Sequence, residues 1–228
     1  MNSVNRQSLT VLLLAPLVAA SSTSGLALFL GAGSAVVLLA ATALLYLLQR
    51  FVFDTQADAD GSLPGFALLM LVLSSVTTLL ILLSQRWFYE AYLLTGIWLP
   101  LISANLLVVR QLMLVDNTRP FLPTMLDALR TGIMMILALT AFALCRELLT
   151  GGRILLNMHL FTDIPARGIE VFEGWPRLKL FEMAPGALLL LALILAGKRL
   201  WQSRHSAPPA PAGAPENSLR VRVTGKIS

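Results

Sequence analysis

The chain has 228 residues, of which 57% are hydrophobic and 13% are charged, and its mean hydropathy is +0.77. A soluble enzyme is excluded, because the chain has too few charged residues to cover the surface of a soluble protein. The net charge of +5 does not indicate a nucleic-acid partner, since the basic residues lie in loops or beside apolar runs, as in proteins oriented in a membrane. The long apolar runs lack the alternation of barrel strands, so we predict an all-α integral membrane protein in a lipid bilayer.

The first apolar segment covers residues 9–20 and contains Pro16. Its short length and the small residues at its end are also typical of a secretory signal peptide. We favour a half-length or broken first helix, because a similar run recurs far along the chain, where no signal peptide could lie. A turn rich in helix-capping residues follows it, at 21–25.

Two full-length spans follow, at residues 26–48 and 65–83. The first has a face of small residues, Gly31, Gly33 and Ala35. Small residues let helices approach closely in lipid. We therefore expect this helix to pack tightly against a neighbour.

The fourth segment, residues 91–109, is interrupted by Pro100 and, five residues later, by Asn105. Aligning Pro16 with Pro100 superimposes the four small and apolar residues that follow each proline, so the chain divides into two similar halves. Interrupted segments at matching positions of two halves indicate the functional centre of a membrane protein. We therefore expect the first and fourth segments to meet there.

The last two spans are predicted at residues 125–149 and 184–200. Arg146 and Glu147 lie near the end of the fifth span, where they are either part of an ion path or charges paired locally near the interface. The membrane domain is predicted to cover residues 1–202. The Pro- and Ala-rich remainder, 203–228, is predicted to be a disordered cytoplasmic tail.

The loops contain carboxylates and one histidine without a ligand-like spacing. The loop at 54–60 carries three aspartates but no Glu at the position that a calcium loop requires, so a solvated loop is favoured. His159 lies in a long predicted loop, 151–180, and is interpreted as a surface or interfacial residue. No catalytic residue and no metal site is predicted.

The six segments form a 3+3 arrangement with interrupted first and fourth helices. A repeat of three helices inverts its second copy, so the two broken segments enter from opposite faces. Basic residues are more numerous on the side that carries the termini, which predicts a multi-pass protein with both termini in the cytoplasm.

Several short motifs recur through these segments: Leu14-Ala15-Pro16-Leu17, Ser22-Thr23, the run from Tyr92 to Ile102 with Asn105 and Val108-Val109, Arg146-Glu147-Leu148 with Gly151, Pro185-Gly186-Ala187 and Ala196-Gly197-Lys198. With these motifs the chain resembles the E-subunit family of the Rnf (Rsx) electron transport complex, which is related to the D subunit of the sodium-translocating NADH:quinone reductase. Together the motifs cover nearly the whole membrane part.

The resemblance implies a membrane subunit of an ion-translocating oxidoreductase complex, which couples electron transfer to ion transport across the bacterial inner membrane. It also implies a homologous sister subunit of opposite topology and partner subunits that carry flavins and iron-sulfur centres. In that family two cysteines join the sister's pair to hold a binuclear iron-sulfur (2Fe-2S) cluster. Here Ala15 and Leu106 occupy those positions, so we expect no cofactor in this chain.

Two further functional interpretations stay open at this stage. One is a subunit without the cluster that serves in assembly. The other is a stand-alone transporter or channel with Thr95, Ser103 and Asn105 as its polar lining. In each interpretation Pro16, Pro100, Asn105, Arg146 and Glu147 are the structural or ion-path candidates.

Overall fold

A computed structural model describes residues 15–51, 63–115, 120–162, 168–172 and 178–205. The described residues up to Leu191 belong to one compact unit, and those from Ala192 onward belong to a second. In chain order the elements are α1 (Ala15–Ala20), α2 (Ser24–Phe51), α3 (Leu63–Trp87), α4 (Tyr89–Thr95), the 3-10 helix η1 (Gly96–Ile102), α5 (Leu106–Leu112), α6 (Phe121–Gly151), β1 (Arg153–Ile154), the 3-10 helix η2 (Met158–Leu160), β2 (Ile169–Glu170), the 3-10 helix η3 (Lys179–Glu182) and α7 (Ala184–His205).

The described helices include several that can cross a membrane. Four are long and apolar enough to do so, at Ser24–Arg50, Gly65–Trp87, Phe121–Gly151 and Ala184–Trp201. Tyr89–Ile102 and Leu106–Leu112 form a further, broken crossing with a bend of 48°. The predicted helical membrane protein is therefore confirmed. Only Ala15–Ala20 is described in the first segment, so the six-segment count and the 3+3 repeat stay predictions.

The contact between α2 and α6 is the most extensive one between helices in the described part of the chain. Small residues bring the two backbones together. A Cβ atom added at Gly132 would lie 2.8 Å from the Cβ of Ala35, and one added at Gly31 would lie 3.0 Å from the Cα of Ile136. These distances leave no room for a side chain, so the glycines set the separation of the two helices.

Gly33 faces different neighbours from those of Gly31. A Cβ atom added there would lie 3.2 Å from the Cδ2 of Leu80 and 3.5 Å from the Cδ1 of Ile102. Ile102 is fully buried, so α2 packs against α3 and η1 on this side. The small-residue face predicted on α2 therefore meets helices of its own chain.

The start of α6 differs from the sequence prediction, which began the fifth span at residue 125. The helix already begins at Phe121, after Pro120 as the capping residue. Proline is tolerated in the first turn of a helix because the N–H groups there have no intrahelical partner. The carbonyl of Pro120 accepts a hydrogen bond from the hydroxyl of Thr124 at 3.1 Å.

The segment after α6 contains a small antiparallel pair of strands that the sequence analysis did not predict. Arg153 pairs with Glu170, and Ile154 pairs with Ile169. Gly152 ends α6 in the left-handed conformation, with a φ of 62°, which glycine adopts without steric cost. The turn lets the chain fold back toward the start of α2.

The last helix, α7, extends to His205. It passes the predicted end of the sixth span, and the first three residues of the predicted tail are therefore helical. The rest of that tail, 206–228, lies outside the described residues. So do the aspartate loop at 54–60 and residues 9–14 of the first segment.

Candidate functional site

The fourth membrane segment is interrupted after α4. The chain continues as the 3-10 helix η1, which contains Pro100. Proline has no N–H to donate, so the regular helix cannot continue unchanged at this point. The carbonyl of Pro100 instead accepts hydrogen bonds from the backbone N–H and the hydroxyl of Ser103, at 3.1 and 2.7 Å. The broken backbone is thus satisfied by the protein itself, as a membrane segment requires.

Asn105 starts α5 on the far side of the interruption. Its Oδ1 accepts a hydrogen bond from the N–H of Leu107 at 2.9 Å, which is the usual role of asparagine before a helix. The side chain is fully buried, and its Nδ2 has no hydrogen-bond partner among the described residues. Asn105 therefore restarts the helix and also directs a free N–H group into the interior.

The first and fourth segments meet, because α1 contacts η1. Pro16 lies within α1 and Pro100 within η1. The side chains of Leu17 and Ile102 are fully buried. The two prolines thus belong to the elements that meet, as the alignment of the two halves predicted.

Arg146 lies in the last turns of α6 and is almost completely buried, with 1% of its surface exposed. Its Nη1 donates to the carbonyl of Ser21 at 2.9 Å, and its Nε donates to the carbonyl of Phe181 at 2.5 Å. Its Nη2 donates to the carbonyl of Glu182. The planar guanidinium therefore joins the end of α1, the end of η3 and the body of α6.

Glu147 is fully buried and binds the other end of the connection between α1 and α2. Its Oε1 accepts a hydrogen bond of 2.5 Å from the N–H of Ser24, the first residue of α2. A carboxylate at a helix N-terminus satisfies a free N–H group and is favoured by the helix dipole. Its Oε2 has no hydrogen-bond partner in the described part of the protein.

The next two N–H groups of α2 also find partners. The N–H of Gly25 donates to the carbonyl of Leu156 at 3.0 Å, and that of Leu26 donates to the Oγ1 of Thr23 at 3.5 Å. A Cβ atom added at Gly25 would collide with the carbonyl of Asn157. The long loop after α6, predicted to lie outside the membrane, therefore covers the start of α2 closely.

Comparison with known proteins identifies the family. The model of the family described as "Rnf-Nqr subunit, membrane protein" matches residues 1–195. The chain belongs to the Rnf-Nqr family. A protein of Pseudomonas paraeruginosa, named as the E subunit of an ion-translocating oxidoreductase complex, is 32% identical over 94% of this chain and 89% of its own length. A protein of Cellvibrio japonicus with the same name is 29% identical, over 98% and 93% of the two chains.

The residues of this Rnf-Nqr chain do not fit the cluster that the sequence resemblance implied. Neither the methyl group of Ala15 nor the side chain of Leu106 can donate to iron, whereas such clusters are held mainly by thiolates. Cys145 is an exposed residue of α6. Within the described ranges, no three His, Cys, Asp or Glu side chains are grouped as metal ligands would be.

Leu106 borders a groove beside the break in this family member. The leucine is 56% exposed, and the groove has a volume of 430 Å³. Its lining consists of Phe66, Met70, Ser103, Ala104, Leu106, Val109, Arg110 and Met113. Most of these side chains are apolar, and Arg110 at the end of α5 is the charged one.

The polar residues considered as a transporter lining do not converge. Thr95 donates to the carbonyl of Ala91 in its own helix at 2.6 Å. Ser103 is half-buried and bonds Pro100, while Asn105 is buried and caps α5. Each side chain thus satisfies its own stretch of backbone, and no shared polar path is formed by these three residues.

His159 pairs with a residue of the broken segment. Its Nε2 lies 3.0 Å from the Oε1 of Glu90, near the start of α4. The rings of Phe29, Phe88 and Phe161 pack against one another, with centroids 6.0 to 6.5 Å apart. The loop after α6 therefore also contacts the helices through an aromatic cluster, which sequence spacing did not reveal.

Sequence reasoning missed the partners of the two buried charges. These partners are backbone groups of Ser21, Ser24, Phe181 and Glu182. Backbone groups leave no trace in residue identity. The serine- and threonine-rich turn before α2 was the available signal, since such residues cap helices. It predicted a helix start but not the carboxylate that satisfies it.

Proposed function

We propose that the chain is a membrane subunit of an ion-translocating oxidoreductase complex, in which electron transfer is coupled to ion transport. The observation that carries this proposal is the full-length similarity to proteins named as the E subunit of such a complex. The broken fourth segment supports it, because irregular backbone inside a membrane is tolerated at a buried working centre.

We further propose that the chain adopts the 3+3 inverted arrangement in the bacterial inner membrane, with both termini in the cytoplasm. Its partners are a homologous sister subunit of opposite topology and subunits that carry flavins and iron-sulfur centres. The contact of α1 with η1 supports this arrangement, since matching half-helices of inverted repeats meet near the middle of the membrane.

Electron carriage belongs to those partners in this proposal. The described side chains at the break include no thiolate, and Ala15 and Leu106 offer no donor to iron. The chain then contributes helices, interfaces and part of the ion-coupling machinery. It binds no flavin or iron-sulfur centre of its own.

Affinity purification tests the proposal. The chain is tagged at its carboxyl end, extracted from native membranes in mild detergent and purified, with the untagged strain as the control. Flavin- and iron-sulfur-containing subunits should co-purify in fixed ratio. Recovery of the chain without any redox partner, together with solute flux when it is reconstituted in liposomes, would instead establish the stand-alone transporter.

A further inference from the structure

Two adjacent buried charged residues bind backbone atoms at opposite ends of the connection between α1 and α2. Arg146 and Glu147 follow each other in α6, so their side chains leave the helix about 100° apart and reach different elements. Arg146 binds the carbonyl of Ser21, just after α1 ends, and Glu147 binds the N–H of Ser24, where α2 begins. Together they hold both ends of the three-residue connection.

The bonding pattern matches the groups that a helix break exposes. The end of one helix leaves carbonyls without partners, and the start of the next leaves N–H groups without partners. A guanidinium supplies donors only, and an ionised carboxylate supplies acceptors only. Each residue thus lies where its own chemistry is needed, which an ion path would not require.

Burial strengthens this interpretation. The exposed fractions are 1% for Arg146 and 0% for Glu147, and neither residue lines the groove at Leu106 or the polar cavity around Asp127 and Arg130. Buried charges are costly unless they are hydrogen-bonded. The bonds to the connection between α1 and α2 offset part of this cost, because the Oε2 of Glu147 has no hydrogen-bond partner among the described residues.

We propose that Arg146 and Glu147 are positioning residues that fix the break at 21–24 and thereby hold α1 against η1. This inference rests on the proposed function, in which α1 and η1 are the half-helices that meet at the working centre. Arg146 also bonds Phe181 and Glu182, so the same guanidinium fixes the approach to α7. Loss of either charge should release α1 while the helix pair α2 and α6 stays packed.

A distance measurement in the intact complex tests the proposal. Spin labels are attached to Ser22→Cys and Ile97→Cys in a Cys145→Ala background, because Ser22 is exposed after α1 and Ile97, in η1, is 82% exposed. Pulsed dipolar spectroscopy should give one narrow distance. Arg146→Ala and Glu147→Ala should each lose it and give a broad distribution.

Conservative variants separate positioning from ion conduction. Glu147→Gln keeps an oxygen that accepts from Ser24, so it should retain the narrow distance and ion transport. Arg146→Lys keeps the charge but not the planar set of donors, so its distribution should be intermediate. These two variants keep the test valid if an alanine variant fails to fold.

Arg153→Ala is the matched control, because this arginine follows α6 in the same region but forms a partly exposed pair with Glu170, which contributes little. It should keep the narrow distance. An unchanged distance in both alanine variants would refute the proposal, and so would a Glu147→Gln variant that keeps the distance but stops ion transport. Co-purification of redox partners, followed in the same samples, tests the proposed function separately.

Discussion

Two single residues carry the proposal that this chain holds no iron-sulfur cluster. Ala15 and Leu106 stand where the family resemblance places cluster ligands, and neither side chain carries a sulfur, nitrogen or oxygen atom. Iron held only by thiolates of the proposed sister subunit would have two open positions facing apolar groups, which is an unstable site. The exposed side chain of Leu106 also takes up space beside the break.

Restoring the thiols should restore the cluster. We expect the purified complex to lack a binuclear paramagnetic signal from this site on reduction, because its donors are missing. The double variant Ala15→Cys with Leu106→Cys should gain that signal in electron paramagnetic resonance spectra. Leu106→Ser, which removes the leucine without adding a thiolate, is the control and should gain nothing. A reducible cluster at this site in the unmodified complex would contradict the prediction.

Glycines set the distance between the helices α2 and α6. The α2–α6 contact depends on Gly31 and Gly132, where an added Cβ atom would lie 2.8 to 3.0 Å from its nearest neighbour on the facing helix. In lipid the hydrophobic effect does not drive helices together, so close van der Waals packing of this kind stabilises their association. The buried charges at the end of α6 act instead on the connection that precedes α2.

A larger side chain at this contact should force the helices apart. Gly132→Leu should lower the free energy of unfolding by about 1 to 3 kcal/mol through overpacking. The matched control is Gly197→Leu in α7, because a Cβ atom added at Gly197 meets nothing within 4 Å. Thermal unfolding of the purified variants in detergent measures both. Equal melting temperatures for the two variants would show that the α2–α6 contact is not close-packed in the membrane.

The orientation of the molecule in the membrane depends on the distribution of its basic residues. The positive-inside rule predicts that both termini lie in the cytoplasm and that the loop containing Thr162 lies on the opposite side. Thr162 is exposed, so it can report the location of that loop. Ser3, which lies outside the described residues, can report the location of the amino terminus.

Thiol labelling of whole cells tests this orientation. In a Cys145→Ala background, Thr162→Cys should react with a membrane-impermeant reagent, because its loop is predicted to face outward. Ser3→Cys should react only after the cells are permeabilised. The Cys145→Ala protein without a new cysteine gives the background. Equal labelling of the two cysteines in intact cells, or labelling of Ser3→Cys alone, would contradict the predicted topology.

Composition and apolar run length by themselves determined that this is a helical membrane protein with an interrupted fourth segment. These properties are local, because the cost of exposing polar backbone to lipid forces each long apolar run into a helix. The interruption of the fourth segment at Pro100 was also predictable from the sequence, because the missing N–H is a property of that one residue. The small-residue face of α2 predicted close packing, although not the partner helix.

Only the tertiary structure decided what the buried charges do. Glu147 and Ser24 are 123 positions apart in the chain, and their hydrogen bond joins a side chain to a backbone N–H group that every residue except proline carries. No pattern of residue types could therefore pair them. Folding likewise brings the carbonyl of Leu156, in the loop after α6, to the start of α2. The break between α1 and α2 is thus held by groups that become neighbours only when the helices pack.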